Sequence, residues 1–339
     1  MAKQVREAEV DFVTIHGLLI PKTQEDYLRL SLLCHRFKDA VNKAIRMQLE
    51  GVDISTGVKE LRKLVNNWWY AISAWDYANM LREGCEINKG NPRHIHVKSK
   101  FLISYAKSNE QGNRNIKVDD KIVRIRDPFS RKWLEFRHDF GGRFIKAEKY
   151  TAKVVFRNGR IYLHLSIPFE LVQYGVTCGK LIASFDLNSD RINMIIVDRE
   201  EKIRDVKVKH FPEVTSHGFP RNKAKDIRLK ALAELLDYAY YHDVGVVLFE
   251  DLERIKRRKG RTTKTKSKKA NRKISKFAKR ELLHYGVTMA LKRGFKVYLV
   301  NPANTSNIAK QICKKLGLDV HCTSAYVLAQ KFVNSHELF

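Results

Sequence analysis

The sequence predicts two parts: an antiparallel β-barrel interrupted by helices, followed by an α/β domain. Three observations lead to this prediction. Amphipathic helical stripes fill residues 22–90, short β-rich stretches separated by turns fill residues 91–180, and strands alternate with helices from residue 181 onward. A chain of 339 residues also exceeds one typical domain and should divide into two or three.

Residues 1–21 are expected to supply the first barrel strand, because residues 9–20 begin with alternating apolar and polar side chains and Pro21 ends the run. Thr23 and Asp26 then have the spacing of a capping box at the start of a helix. We therefore interpret residues 22–90 as a helical insertion into the barrel.

The remainder of the barrel is predicted in residues 91–180. Its strongest signal is Asn158-Gly159, which separates the alternating runs 152–156 and 160–167. Asn-Gly between two such runs is a strong indication of a β-hairpin.

Residues 181–339 are predicted to form the α/β domain. Strands and helices are expected, in order, at residues 181–186, 191–197 and 202–208 (strands), 222–241 (helix), 246–250 (strand), 275–293 (helix), 296–300 (strand), and from about Cys322 (helix). The order β-β-β-α-β-α-β-α is the ribonuclease H-like arrangement.

Two carboxylates stand where apolar strands should continue. Asp186 follows the run Leu181 to Phe185, and Glu250 ends the run Gly245 to Phe249. A buried carboxylate without a partner costs several kcal/mol. The first and fourth strands of such a sheet lie side by side and parallel, so both acids should meet at one sheet end and share Mg²⁺ or Mn²⁺. Two such ions would support phosphodiester hydrolysis; the alternative is that each acid occupies a turn or an ion pair.

The last helix should supply a third group. His321 shares a helical stripe with Ala325 and Leu328, so its imidazole is expected to face the sheet, where it would bind a metal or order the attacking water. Magnesium prefers oxygen ligands, which makes Asp319 the competing candidate. A capping or surface role remains the alternative for both residues.

The charge of the chain points to a polyanionic partner. Lys and Arg number 65 against 37 Asp and Glu, a formal net charge of +28, and nucleic acid is the expected ligand. The most basic segment is the predicted linker 254–274, which contains no acidic residue. Its candidate nucleic-acid contacts are Lys256, Arg257, Arg258, Lys259, Arg261, Lys264, Lys268, Lys269, Arg272 and Lys273. A solvated linker or a nuclear-localisation look-alike is the other interpretation.

A second candidate surface lies in the barrel, where Arg124, Arg126 and Arg131 alternate with aromatic residues such as Trp133 and Phe136. Stacking and phosphate contact require this combination of residues. The alternative is that the alternating aromatic residues form the barrel core.

No apolar run approaches the roughly 18 residues that span a bilayer, and the N-terminal residues lack the apolar core of a signal peptide. The five cysteines are scattered without C-x-x-C spacing, which indicates neither disulfides nor a zinc site. We expect a protein without membrane partners, cytoplasmic and associated with the nucleoid, or nuclear if the source is eukaryotic.

Four motifs of the chain occur together: Phe185-Asp-Leu-Asn188, Leu248-Phe-Glu-Asp-Leu252 before a basic stretch, the hairpin 152–165, and Val300-Asn-Pro-Ala-Asn-Thr-Ser306. In this combination the chain resembles the transposon-encoded TnpB proteins, relatives of the type V CRISPR effectors. The resemblance implies a wedge-like barrel with a helical recognition insertion, then a RuvC-like nuclease domain. It also implies a guide RNA and a double-stranded DNA target as partners, with Asp186 and Glu250 as the first and second catalytic acids.

Two departures from the family separate the functional hypotheses. The usual zinc ribbon after the Thr-Ser element is missing, so no zinc is expected, and His321 stands where the third catalytic aspartate is usual. The first hypothesis is an RNA-guided DNA endonuclease, and the alternative is a nuclease-impaired, RNA-guided DNA-binding regulator. The third hypothesis is a guide-independent junction resolvase. It gives no role to the N-terminal half of the chain.

Overall fold

The structure, a computed structural model, describes residues 5–106, 113–252 and 276–335. Its strands are β1 (Val5–Glu7), β2 (Phe12–Pro21), β3 (Phe101–Ser104), β4 (Ile116–Val118), β5 (Ile122–Arg126), β6 (Trp133–Asp139), β7 (Thr151–Arg157), β8 (Arg160–Pro168), β9 (Leu181–Leu187), β10 (Arg191–Val197), β11 (Ile203–His210), β12 (Val244–Glu250) and β13 (Lys296–Val300). Its α-helices are α1 (Gln24–Leu49), α2 (Ile54–Val65), α3 (Trp68–Ile87), α4 (Arg221–Tyr240), α5 (Lys276–Lys292), α6 (Thr305–Leu316) and α7 (Val320–Ser335). The chain divides into two compact units: residues 11–172, and residues up to 10 together with those from 173 onward.

The unit of residues 11–172 contains an antiparallel sheet in the order β3-β7-β8-β2-β6-β5-β4, which forms a half-barrel. Side chains alternate between its two faces, so residues such as Leu163 and Leu165 are buried while those between them are half-buried. Polar side chains bridge the edge strands: Asn113 Nδ2 donates to Ser104 O at 2.8 Å, and Tyr150 Oη donates to Ile116 O at 2.9 Å.

Helices α1 to α3 are inserted between β2 and β3 and share a core that includes Phe37, Leu61 and Tyr70. The capping box at the start of α1 is present: Thr23 Oγ1 accepts from Asp26 N, and the Asp26 carboxylate accepts from Thr23 N. Tyr70 Oη donates to Arg126 O at 3.0 Å, which attaches α3 to the end of β5.

The other unit contains a sheet in the order β1-β13-β12-β9-β10-β11, in which β12 is parallel to both β9 and β13 and the remaining pairs are antiparallel. Strands β9 to β13 thus have the ribonuclease H-like order that the sequence predicts. One face packs its apolar residues, among them Phe185 and Phe249, against α4 and α5. Ile182 and Leu248 on the other face pack against α7.

Residues 5–7 correct one expectation. They were expected to lie in the barrel with the rest of 1–21, but Val5 pairs with Val300 in the other sheet, and the barrel strand begins at Phe12. Arg6 explains the difference: its guanidinium forms two hydrogen bonds, at 3.1 and 3.3 Å, with Asp251, whose side chain is buried. A buried carboxylate needs such a partner, and the pairing of β1 with β13 places the Arg6 guanidinium within reach of Asp251.

In the part of the chain that the structure describes, no helix has both the length and the apolar character that crossing a membrane requires.

Candidate active site

Asp186 and Glu250 lie at the same end of the sheet, on neighbouring parallel strands. Phe185 of β9 is opposite Phe249 of β12, so the next residue on each strand is the acidic one. Both carboxylates share the face that packs against α7, because side chains alternate along strands and Leu248, two residues before Glu250, belongs to that face. The structure therefore brings together the two acids that the sequence singles out.

The pKa of Glu250 responds to its burial and to the neighbouring Asp186. Burial, followed by the negative charge of Asp186, raises the pKa of Glu250 to about 7, while Lys279, Lys331 and His321 act in the opposite direction. Neighbouring like charges disfavour simultaneous ionisation. A cation bound between the two carboxylates would favour their ionised forms.

His321 lies in the first turn of α7 and contacts Asp186 directly. Its Nδ1 is 3.1 Å from Asp186 Oδ2, and this hydrogen bond raises the pKa of His321, although burial of the ring acts against it. Within the described residues, the imidazole is thus a hydrogen-bond partner of the first acid. The expectation that it faces the sheet and the carboxylates agrees with this position.

Asp319 occupies the N-terminus of the same helix. Its Oδ1 accepts from the backbone N–H groups of His321, at 2.7 Å, and Cys322, at 3.1 Å. Burial would raise the pKa of Asp319, but the hydrogen bonds from Cys322 and His321 outweigh it and lower the pKa. This geometry is that of a helix cap, which fixes the backbone of His321.

Asn188 is a site residue that the sequence reasoning did not assign. Its Nδ2 donates to Asp186 Oδ2 at 2.7 Å and lies 3.4 Å from His321 Nδ1. Asp186 Oδ2 is therefore held by two side chains, one from the end of β9 and one from α7. The signal was present in the sequence as the Asn of the Phe-Asp-Leu-Asn motif, two residues beyond the acid.

The sheet beneath Asp186 is polar. Asn193 of β10 is directly opposite Asp186, and Ser184 precedes Asp186 on the same face of β9. Both side chains are buried, and Ser184 Oγ and Asn193 Nδ2 have no hydrogen-bond partner among the described residues. Such atoms are costly unless water or another polar group meets them. Their position favours a site that holds polar or charged groups.

Lys331 of α7 orders the loop that follows β13. Its Nζ donates to Asn301 O at 3.2 Å, to Ala303 O, and to Thr305 Oγ1 at 3.1 Å. Burial lowers the pKa of Lys331, and the charge of Glu250 opposes this change. The Asn-Pro-Ala-Asn-Thr segment is therefore fixed by a cation that also acts on the second acid.

The side chains at this site are of the type that binds a divalent cation. Mg²⁺ and Mn²⁺ are bound through carboxylate oxygens, often one or two from the protein, with the remaining positions filled by water and phosphate. Asp186 and Glu250 offer such oxygens at one end of the sheet, on neighbouring parallel strands. No group of three His, Cys, Asp or Glu residues is arranged to hold a metal within residues 5–106, 113–252 and 276–335.

The predicted nucleic-acid residues fall into two groups. Those of the basic segment 254–274 lie outside the described residues. In the barrel, Arg124 is held between Asp119, at 3.2 Å, and Glu135, at 3.4 Å. Arg126 lies over the ring of Trp133, and Arg131 is exposed in a turn with a positive φ of 58°.

The aromatic residues of this region divide between the two interpretations that the sequence left open. Phe136 is buried in the barrel core, whereas Phe129 is 37% exposed and carries the Arg36 guanidinium 4.1 Å from its ring centroid. Trp133 is half-buried beside Arg126. Core and surface roles therefore alternate along β6, as the pleat of the strand requires.

Comparison with known proteins identifies the family. Residues 12–175 match the family described as the SSO2105 N-terminal domain. Over an alignment of 346 residues the chain is 33% identical to "Uncharacterized protein SSO2105" of Saccharolobus solfataricus, covering 94% of this chain and 92% of that protein. The chain belongs to the SSO2105 family.

Solved structures similar to this SSO2105-family protein agree with its topology. The Cas12f1–sgRNA–target DNA complex aligns over 91% of this chain and 83% of that chain, with a TM-score of 0.50 and 12% identity. Thermus thermophilus RuvC, solved with a Holliday junction substrate, covers 44% of this chain and 90% of its own, with 18% identity and a TM-score of 0.31, too low to carry an argument. At 12% identity the first likeness concerns the fold alone. The predicted fold class, a ribonuclease H-like α/β domain preceded by an antiparallel barrel with a helical insertion, is confirmed.

Proposed function

We propose that this SSO2105-family protein is an RNA-guided DNA endonuclease of the TnpB type that uses Mg²⁺ or Mn²⁺. The observation that carries the proposal is the meeting of Asp186 and Glu250 at adjacent parallel strand ends, on the face covered by α7. The net charge of +28 supports a nucleic-acid partner. The Cas12f1 structure, solved with an sgRNA and target DNA, supports guidance by RNA.

In this proposal Asp186 and Glu250 hold the divalent cation. When bound, such an ion lowers the pKa of a water molecule and stabilises charge on the leaving oxygen of a phosphodiester. Asn188 and His321 orient Asp186 through its Oδ2 atom. Lys331 fixes the loop after β13 and places a positive charge near Glu250, where it would also attract the phosphate backbone.

Cleavage of a guide-matched duplex by the purified protein–RNA complex tests the proposal. Asp186→Ala and Glu250→Gln should abolish cleavage, because each removes a carboxylate that the reaction needs. Glu200→Gln, an exposed acid in the same unit, serves as the matched control and should cut like the parent. Equal cleavage by all four proteins would show that the acids are misassigned.

A second candidate is a guided DNA-binding protein that does not cut. It is favoured by His321, which stands at the third position of the site and pairs with Asp186 in place of a third carboxylate. Sequencing of RNA that copurifies with the protein separates guided from unguided models. Tight binding of a matched duplex without metal-dependent nicking would select this candidate over the first.

A further inference from the structure

The outer face of the small sheet β4-β5-β6 carries an arrangement of charge and aromatic rings that the cleavage site does not use. The inward side chains of these strands, such as Val123 and Leu134, are buried in the barrel core. The outward side chains form two rows across the strands. Lys117, Arg124 and Glu135 are opposite one another in the first row, and Arg126 is opposite Trp133 in the second.

Arg124, at the centre of the first row, is neutralised within the protein. Its guanidinium contacts Asp119 at 3.2 Å and Glu135 at 3.4 Å, and Glu135 also accepts a hydrogen bond from Lys22 at 2.7 Å. These side chains compensate one another. Arg124 therefore offers an incoming phosphate little free positive charge.

The cations around Trp133 are arranged differently. Lys117 Nζ lies 5.2 Å and the Arg126 guanidinium carbon 5.5 Å from the centre of the Trp133 ring, both within the range of cation–π contact. Among the described residues, neither Lys117 nor Arg126 forms an ion pair with a carboxylate. Lys117 and Arg126 therefore contact the Trp133 ring and not a carboxylate of the described residues.

A second Arg side chain lies beside a Trp ring next to β4. The Arg114 guanidinium lies 4.6 Å from the centre of the Trp69 ring at the start of α3. Arg126 N donates to Asn115 O at 2.8 Å, so the backbone next to Arg114 runs alongside the end of β5. The Arg114–Trp69 contact and the Arg126–Trp133 contact thus belong to adjacent, hydrogen-bonded segments of the chain.

A partner for this surface must offer negative charge together with a flat aromatic group. A nucleotide has both, but only when its base is unpaired, because the faces of paired bases are already stacked inside a duplex. Phosphates then contact the cations while the base stacks on the ring, the usual combination in proteins that bind single strands.

We propose that Trp133 is a stacking platform for an unpaired base of single-stranded nucleic acid, with Lys117 and Arg126 contacting the adjacent phosphates. The inference rests on the nucleic-acid partner proposed above, but it does not depend on cleavage. It adds two statements to the proposed function: the nucleic acid is single-stranded where it meets this surface, and one of its bases stacks on the Trp133 ring.

Binding of a fluorescein-labelled, unstructured ten-nucleotide RNA to the full-length protein, freed of copurifying RNA by high salt, tests the proposal by anisotropy. Stacking of one base predicts that Trp133→Ala weakens affinity about tenfold, whereas Trp133→Phe, which keeps an aromatic ring, stays within about threefold of the parent. The Phe variant should also lose part of the tryptophan quenching that RNA causes in the parent. Thermal melting of both variants shows whether the barrel remains folded, and the Phe variant tests the proposal if the Ala variant does not fold.

Arg124→Ala and Arg126→Ala are a matched pair, because each removes one positive charge from the same face of the same strand. Arg126→Ala should weaken binding and reduce the salt dependence by about one phosphate contact, while Arg124→Ala should stay within about twofold of the parent. Equal loss in both variants would mean general charge attraction and would overturn the proposal. So would parent-like affinity of Trp133→Ala, or competition by duplex RNA as strong as by the single strand.

The outcome is separable from that of the proposed function. Asp186→Ala and Glu250→Gln should bind the ten-nucleotide RNA like the parent whether or not cleavage occurs. A protein that cuts a guided target but ignores Trp133 would contradict only the stacking proposal.

Discussion

Glu250→Gln is expected to stabilise the protein when no divalent cation is present. The substitution keeps the size of the side chain and one acceptor oxygen but removes a charge that burial and Asp186 both disfavour. If Glu250 binds a cation as proposed, its ionised carboxylate lowers the stability of the fold until that cation binds.

The magnitude follows from the pKa of Glu250, which rises from 4.5 to about 7 in the folded protein, a difference of about 2.5 pH units. At about 1.36 kcal/mol per unit, the largest possible cost is about 3 kcal/mol. Solvent reaches part of the side chain, so we expect a measured gain of about 1 to 2 kcal/mol in the variant.

The direction in which stability changes with pH also follows from the pKa of Glu250. Below pH 4.5 the carboxyl group is protonated in both the folded and unfolded chains, so Glu250 costs nothing. Between pH 4.5 and 7 the unfolded chain releases the proton while the folded chain retains it, so the free energy of unfolding of the parent falls. The advantage of Glu250→Gln should therefore grow through this interval and be complete above pH 7.

Native-state hydrogen exchange of peptides from β9 and β12, measured with a chelator at pH 5, 6, 7 and 8, reports the stability of this unit alone. Magnesium should then slow exchange in the parent, through binding to the folded state, and leave Glu250→Gln unchanged. Glu200→Gln is the control, because it removes an exposed carboxylate from the same unit. A destabilised or pH-independent Glu250→Gln, or one that magnesium stabilises like the parent, would refute this reasoning.

Three further substitutions test other parts of the structure. Arg6→Ala removes a guanidinium from the buried Asp251 carboxylate and should lower the free energy of unfolding by about 2 to 3 kcal/mol, with partial recovery in Arg6→Lys, as measured by calorimetry. Gly57→Ala would place a methyl group inside the Trp75 ring, so urea unfolding followed by tryptophan fluorescence should show a loss of about 1 to 3 kcal/mol. Burial, helped by nearby positive charges, lowers the pKa of His164 from 6.5 to about 4 in the folded protein. As pH falls from about 6.5 to 4, the unfolded chain therefore binds a proton that the folded chain does not, and the free energy of unfolding decreases. The half-exposed ring limits this loss to about 1 kcal/mol, and His164→Gln should remove it from a pH series of melting temperatures.

The two acids and the sheet that carries them could be predicted because their signals are local. An apolar run that ends in a carboxylate, as at Asp186 and Glu250, is visible within a few residues. The order of strands then fixes which ends meet, since parallel neighbours bring their carboxyl ends to one edge. The Asn-Gly turn after Arg157 is equally local, and the hairpin of β7 and β8 forms where the pattern predicts it.

The features that could not be predicted depend on how separate elements pair with one another, which the local sequence pattern does not specify. Three residues, Val5 to Glu7, have no recognisable period, and their place is set by a strand almost 300 residues later. The ion pairs of Arg124 depend on the register of β5 and β6, which the sequence does not specify. The Asp186 oxygen that accepts from Asn188 is also contacted by His321 of α7, 135 residues away, and no local pattern predicts that contact.

The N-terminal strand has a consequence for how this protein can be dissected. Residues 11–172 interrupt the unit that contains β1 and β9 to β13, and a hydrogen bond from Phe169 N to Asp11 O holds the two ends of this insertion together. A truncation that starts at residue 173 would strip β1 from β13 and leave a bare sheet edge, which invites aggregation. Replacing residues 11–172 by a short flexible linker would instead keep β1 and β13, which pair at this edge, in one polypeptide.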